Sequence, residues 1–367
     1  MPYKHFDMPK YPVTSDMWYE LKKEERPIVV YGMGNGADKL FDRLAKYDIQ
    51  IADIFASDGF VRGHSYRGYR VKSFSEIKDT YGDFVILLSF ASNRADVIDM
   101  LAEIDSQYDM YVPDIPIAGV DEYFDKLFYN SNYDKIIDAY ESLSDDESRA
   151  VFESIVNYKL TGKMNYLLEC YSSRDEMYSI MPLDNIKVSV DAGAYNGDTI
   201  REIKSYMLNI KRVYALEPDR KNFKKLRVYS EAEREIDIVL ENSAAWNETT
   251  VGEFNSSGNR NATVNATASY EHSTEKIGLV KIDDIVNERV DYIKYDVEGA
   301  ENEALDGSYG LIRAELPTLL VSLYHRSRDI FYLINKIKNE HPEYDLYLRR
   351  LRCLPAWEIN LIAVKRT

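Results

Sequence analysis

Cysteine is almost absent. Cys170 and Cys353 are the only two in 367 residues, they stand far apart, and neither has a C-x-x-C partner. That argues against a disulfide framework and a thiolate zinc site, and leaves two buried free thiols of a reducing compartment as the expectation. Long apolar runs are missing too. The longest, Phe84 to Ala91, is interrupted by Ser89 and falls far short of the ~20 residues that span a bilayer. The first residues, MPYKHFDMPKYP, lack the apolar stretch of a signal peptide. Positive charge is in deficit: 46 Lys and Arg stand against 62 Asp and Glu, a net charge of −16 with a pI near 4.9. Clustered Lys and Arg supply affinity for nucleic-acid phosphates and for anionic lipid. Neither nucleic acid nor a membrane is therefore the expected partner, and a cytoplasmic protein is expected. The N-x-S/T triplets at Asn247, Asn255, Asn261 and Asn265 then mark a polar loop, not glycan sites. There is no internal repeat, and nothing in the composition decides whether the chain forms a homo-oligomer.

What is present is 45% hydrophobic residues, enough for packed cores, in a chain longer than one typical domain. Residues 1–110 read as a small Rossmann-like α/β unit. Pro27 to Tyr31 is a strand, Gly32-Met33-Gly34-Asn35-Gly36-Ala37 a turn, and Asp38 to Tyr47 an amphipathic helix. Ile51 to Phe55 and Phe84 to Phe90 are further strands, with helices near 75–81 and 94–104. Residues 111–185 form a helical connector, with apolar residues at three and four spacing over 120–128, 133–143 and 146–160. Ser144-Asp145-Asp146-Glu147 reads as a capping box for the third helix, and Gly162 as its stop. Residues 186–367 form a second α/β domain. Strands are expected at 188–192, 212–217, 236–241, 291–296, 317–324, 344–350 and 357–364. Helices fall near 197–208, 219–229, 283–288, 300–313 and 328–339. Five crossover strands and two late ones predict a mostly parallel sheet closed by a C-terminal antiparallel hairpin. Residues 246–280, rich in Asn, Ser and Thr, read as an inserted loop or hairpin over the site.

The most informative stretch is 188–218. Val188 to Val190 enters a turn with Gly193 and Gly197, a helix follows, and the run Val213 to Leu216 stops at Glu217-Pro218. Strand, glycine turn, helix, strand, acid is the front half of a nucleotide-binding unit. Glycines admit a close ligand, and a carboxylate ending the second strand can accept hydrogen bonds from two ribose hydroxyls. Glu217 stands 20 residues after Gly197, as a βαβ unit requires. The turn reads D-A-G-A-Y-N-G, not G-x-G-x-x-G. A diphosphate wants the positive end of a helix, and Asp191 beside it would repel one. A ligand with an amine and a sulfonium suits it better. That ligand is S-adenosylmethionine, with Asp191 near its cationic end and Glu217 on its ribose.

The second domain resembles the FkbM family of S-adenosylmethionine-dependent methyltransferases. The motifs are DAGAYNGDT (191–199), ALEPD (215–219), ENSAAW (241–246), VKIDDIV (280–286), YIKYDVEGAENEAL (292–305) and LLVSLYH (319–325). The resemblance implies a class I methyltransferase fold and O-methylation of a sugar, glycan or natural-product hydroxyl. It puts Asp191, Gly193 and Gly197 around the methionine moiety, Glu217 on the ribose, and Asn242 against the adenine. The first unit is similar to the small domain preceding the β-helix of bacterial sugar-nucleotide acyltransferases, which implies contact with a nucleotide sugar. Its G-x-G-x-x-A turn also admits NAD, with Asp58 as the ribose acid. That leaves an NAD-dependent sugar oxidoreductase, or a nucleotide-sugar-binding scaffold with an inactive second domain, as alternative readings.

For catalysis, ligands of a parallel sheet lie beyond the carboxyl ends of its strands. The fourth strand ends in Asp296-Val297-Glu298-Gly299 and the fifth in Tyr324-His325. His325, with an ordinary pKa near ~6.5, is the first candidate for general base and Asp296 the second. No metal is expected. Asp296, Glu298, Glu301 and His325 together also suit Mg²⁺ or a similar hard cation, though strand alternation keeps Glu301 away, at the start of the next helix. Arg260, Tyr270, His272, Trp246 and Tyr324 are candidates for holding an acceptor.

Overall fold

The computed structural model describes residues 3–57, 59, 61, 63, 65–118, 122–255, 263–264 and 274–366. Two α/β sheets lie along the chain. The first has strands β1 (Ile28–Tyr31), β2 (Asp53–Ala56), β3 (Lys72–Ser73), β4 (Val85–Leu88) and β5 (Met110–Tyr111). Its order is β3-β2-β1-β4-β5, with every pair parallel. Every residue of β1, β2 and β4 is buried, the mark of strands covered on both faces. Helix α1 (Asn35–Lys46) starts earlier than the glycine pattern predicts, because the turn is complete at Gly34, φ 105°. Gly36 sits in the first helical turn for a packing reason: a Cβ there would stand 2.2 Å from the Ser89 carbonyl oxygen.

Helices α2 (Lys126–Ser131), α3 (Tyr133–Glu141) and α4 (Asp146–Thr161) follow. The expected capping box at Ser144 is not made. Asp145 caps α4, accepting the Ser148 N–H at 2.8 Å. Ser144 instead pairs with the second sheet: its N–H donates to the Leu346 carbonyl at 2.8 Å and its Oγ accepts the Leu346 N–H at 2.9 Å. Gly162 ends α4 in the left-handed region, φ 66°. One continuous apolar cluster joins Val29 of β1, Val151 of α4 and Val190 of the second sheet.

The second sheet has seven strands: β6 (Val188–Ala192), β7 (Arg212–Leu216), β8 (Asp237–Glu241), β9 (Tyr292–Tyr295), β10 (Thr318–Ser322), β11 (Tyr344–Arg350) and β12 (Ile359–Lys365). The order is β8-β7-β6-β9-β10-β12-β11. Only β12 runs antiparallel, to β10 and β11, so the expected closing hairpin is there. The expected helix 300–313 is two, Glu301–Asp306 and Tyr309–Glu315. The break is at Gly307, where a Cβ would stand 1.9 Å from the Trp246 carbonyl oxygen. The segment expected as a loop or hairpin contributes Thr250–Asn255, Thr263–Val264 and Thr274–Val280, which join Ser243–Ala245 in a separate four-stranded sheet. Arg260, Tyr270 and His272, and Asp58 of the first unit, lie outside the described residues. Among the described residues no helix is long and apolar enough to cross a membrane.

Candidate functional site

A cavity of about 280 Å³ opens at the carboxyl ends of β6, β7, β9 and β10. Gly193, Tyr195, Glu217, Lys294, Asp296 and Tyr324 are in its wall. Gly193 shapes it, and Gly197 seats the helix that follows. Gly193 has φ 90°, and a Cβ there would stand 2.0 Å from the Asp296 carbonyl oxygen. Gly197, φ 84°, precedes α5 (Asp198–Tyr206), and a Cβ would stand 2.5 Å from the Tyr229 ring. Only glycine combines that φ with that approach.

Glu217 follows β7 and is held on both oxygens. One accepts the Tyr195 N–H at 2.9 Å, the other the Asp219 N–H at 2.8 Å. Asp219 then caps helix α6 (Arg220–Ala232) through the Lys221 and Asn222 N–H groups. Burial pushes Glu217 up to about 7, and the two N–H donors oppose that rise. Each oxygen keeps lone-pair capacity for a further donor.

Asp191 ends up behind the wall, 1% exposed. Its neighbour across the sheet is Lys294, in register on β9. Lys294 Nζ lies 3.3 Å from Asp191 Oδ1, 3.3 Å from the Gly193 carbonyl and 3.5 Å from Asp296 Oδ2. Burial raises Asp191 to about 6, with Lys294 pulling the other way. For Lys294 burial favours the neutral amine, but Asp191 and Asp296 outweigh it and its pKa is raised. The acid nearest the turn is thus neutralised by an ammonium that itself lines the cavity. Asp198 and Glu202 of α5 supply negative charge to the wall there.

Asn242 is not in the wall. It is exposed, and its amide donates to the Glu217 and Pro218 carbonyls at 2.7 and 3.3 Å. That fastens the loop carrying Glu217. Its neighbours Ser243 and Ala244 line the cavity instead.

Asp296 faces the cavity beside Tyr324, whose hydroxyl donates to Asp296 Oδ1 at 3.0 Å. Burial would raise Asp296, yet Lys294, His325 and Tyr324 hold it below the ordinary value. His325 lies deeper, 0% exposed and outside the cavity wall. Its Nε2 stands 3.6 Å from Asp296 Oδ1 and 3.5 Å from Glu298 Oε2, and its Nδ1 2.9 Å from Glu301 Oε1. Burial disfavours the imidazolium, but Glu301, then Glu298 and Asp296, overcome it and hold its pKa at about 10. Glu301 was expected to point away at a helix start. It does begin the helix, but the chain bends at Glu298, φ 54°, and Gly299, φ 97°. That turn lets Glu301 accept the Val297 and Gly299 N–H groups and reach His325.

Two further residues were not anticipated. Lys294 is a lone cation in the run Tyr292 to Tyr295, on a strand predicted to be central; a charge at such a position was the available signal. Asn93, from the first unit, also reaches the cavity wall. Its neighbour Ser92 exchanges backbone hydrogen bonds with Leu354 at 2.7 and 2.9 Å. Trp246 packs on Ala244, Ile277 and Leu279, outside the cavity wall.

The family model described as Methyltransferase FkbM domain matches residues 191–352. A search of the curated proteins finds no match. Among solved structures, the methyltransferase FkbM from Methylobacillus flagellatus KT is similar with a TM-score of 0.69 and 22% identity, covering 94% of this chain and 92% of that one. At that identity the likeness speaks for the fold, and it extends through both sheets. An rRNA methylase from Streptococcus thermophilus (12% identity, TM-score 0.34, 53% of this chain and 93% of that one) matches only loosely. So does Aeropyrum pernix fibrillarin in complex with S-adenosyl-L-methionine (14%, 0.34, 52% and 74%).

Proposed function

Taking this chain as a methyltransferase with an FkbM domain at residues 191–352, we infer that it methylates a hydroxyl of a sugar, a nucleotide sugar or a surface-glycan intermediate, using S-adenosylmethionine. The observation that carries the cofactor is Glu217. It is buried and fixed by two backbone N–H donors, with acceptor capacity left on both oxygens. That disposition fits a ribose diol. The Gly193 turn fits close approach of the adjoining methionine part. When bound, the cofactor supplies an electrophilic methyl group on a sulfonium.

The residues of the chain supply the rest. Gly193 keeps the wall free of a side chain at the turn, and Gly197 lets the following helix pack against Tyr229. Asp198 and Glu202 complement a cationic ligand, while Asp191 holds the Lys294 ammonium in place. Asp296 is the carboxylate at the cavity floor that meets an acceptor hydroxyl and takes its proton. Lys294 and the Tyr324 hydroxyl orient it. His325 supports Asp296 from behind, so the role expected for a free imidazole base passes to the carboxylate in front of it. General-base help of this kind is worth ~10²–10⁴-fold. Asn93, Glu358 and Asn360 are also in the cavity wall and suit a polyhydroxylated acceptor.

The experiment is incubation of the purified chain with methyl-labelled S-adenosylmethionine and a panel of sugars, nucleotide sugars and glycan fragments. Label on a sugar oxygen supports the reading. Transfer confined to nitrogen, carbon or nucleic-acid acceptors sinks it.

A further inference from the structure

We propose that His325, Asp296 and Glu298 form a binding site for one divalent cation of the magnesium or manganese kind. The proposal deepens the reading above by placing a cation at the acceptor end of the same cavity.

One buried imidazole nitrogen has nothing to bond. His325 is fully buried, and Nε2 makes no hydrogen bond. It faces Asp296 Oδ1 at 3.6 Å and Glu298 Oε2 at 3.5 Å, separations at or beyond the limit of a hydrogen bond. They suit something else. Ligand atoms about 2.0–2.2 Å from a shared ion stand about 3–3.5 Å apart at octahedral or tetrahedral angles. Glu298 Oε2 is buried and also unpartnered. Of these ligands, Asp296 and His325 belong, with Glu301, to a group whose ligand atoms lie within 4.8 Å of one another.

The rear of the imidazole agrees. Nδ1 lies 2.9 Å from Glu301 Oε1, which two backbone N–H groups fix in turn. A metal-bound histidine ordinarily gives its other nitrogen to such a carboxylate. Charge agrees as well. Three carboxylates surround one imidazole; of the cations that face them, Lys294 is already shared with Asp191 and Lys39 acts on Glu298. A donor set dominated by carboxylate oxygen selects a hard cation. Asp296 and Glu298 both line the cavity, so remaining positions are open to water or to an acceptor hydroxyl.

The test is a Mn²⁺ titration of the full chain without cofactor, followed by loss of the free-ion paramagnetic resonance signal. One saturable site is expected. Glu298→Gln and His325→Gln should each weaken it by about 10-fold or more, while calorimetry shows S-adenosylmethionine affinity within about threefold of wild type. The Glu298 side chain is 29% exposed, so that variant is informative even where the buried histidine change fails to fold. No saturable Mn²⁺ binding overturns the proposal. So does equal binding by the variants, which would mean diffuse attraction to a chain of net charge −16. Either result leaves methyl transfer standing, because cofactor affinity and labelled-methyl transfer read that reading separately.

Discussion

Lys294 stands opposite Asp191 in the register of β9 and β6, with Nζ 3.3 Å from Oδ1, both side chains within the sheet's interior. A buried ion pair loses most when one partner is removed, because the other charge stays without compensation. Lys294→Met should therefore cost about 3–5 kcal/mol, read as a lowered urea midpoint. Adding Asp191→Asn should restore much of that loss. A single variant as stable as wild type would show that the pair does not bear on the fold.

Asp296→Asn keeps the shape of the carboxylate and removes its basicity. The turnover rate should fall by about 10²-fold or more, with cofactor affinity unchanged by calorimetry. A fall in affinity with turnover intact would move Asp296 out of the acceptor site and into the cofactor site.

Gly193→Ala tests the cradle. The added methyl would stand 2.0 Å from the Asp296 carbonyl oxygen at a φ of 90°. The turn has to open, at a cost of about 2 kcal/mol or more, and cofactor binding should be lost with it. Thermal unfolding and calorimetry together check this. Wild-type affinity in that variant would show that the ligand does not pass over this turn.

Glu217 has a pH signature. Burial raises it to about 7 from an ordinary 4.5. Between those values the unfolded chain releases the proton and the folded chain keeps it, so Glu217 withdraws stability as pH rises through that window. The ionised form is the better acceptor for two ribose hydroxyls. Cofactor affinity should rise between pH 6 and pH 8, by up to ~10-fold, and the rise should vanish in Glu217→Gln. A flat profile in wild type would separate Glu217 from the ligand.

Much of this molecule was legible beforehand, and for identifiable reasons. The strands of the second sheet are short, β-branched and apolar, with acids or glycines at their ends, so Val188–Ala192 and Arg212–Leu216 could be bounded almost to the residue. Glu217 was legible because spacing alone places it at a strand end. What local pattern could not carry was the third dimension. That Lys294 meets Asp191 depends on which strands are neighbours. That His325 is sealed behind Asp296 and Glu298 depends on how the chain turns at Gly299. The Ser144 capping box was written in the local sequence, but β11 competes for Ser144 through Leu346 and wins. The break at Gly307 answers to Trp246, sixty-one residues earlier in the chain.

The most direct measurement is titration calorimetry of S-adenosylmethionine into the wild-type chain and into Glu217→Ala. Loss of two hydrogen bonds to a charged acceptor is worth about 3–6 kcal/mol, so one site per wild-type chain is predicted, with affinity at least ~100-fold weaker in the variant. Equal affinity in the two proteins, or no binding to wild type, would contradict it.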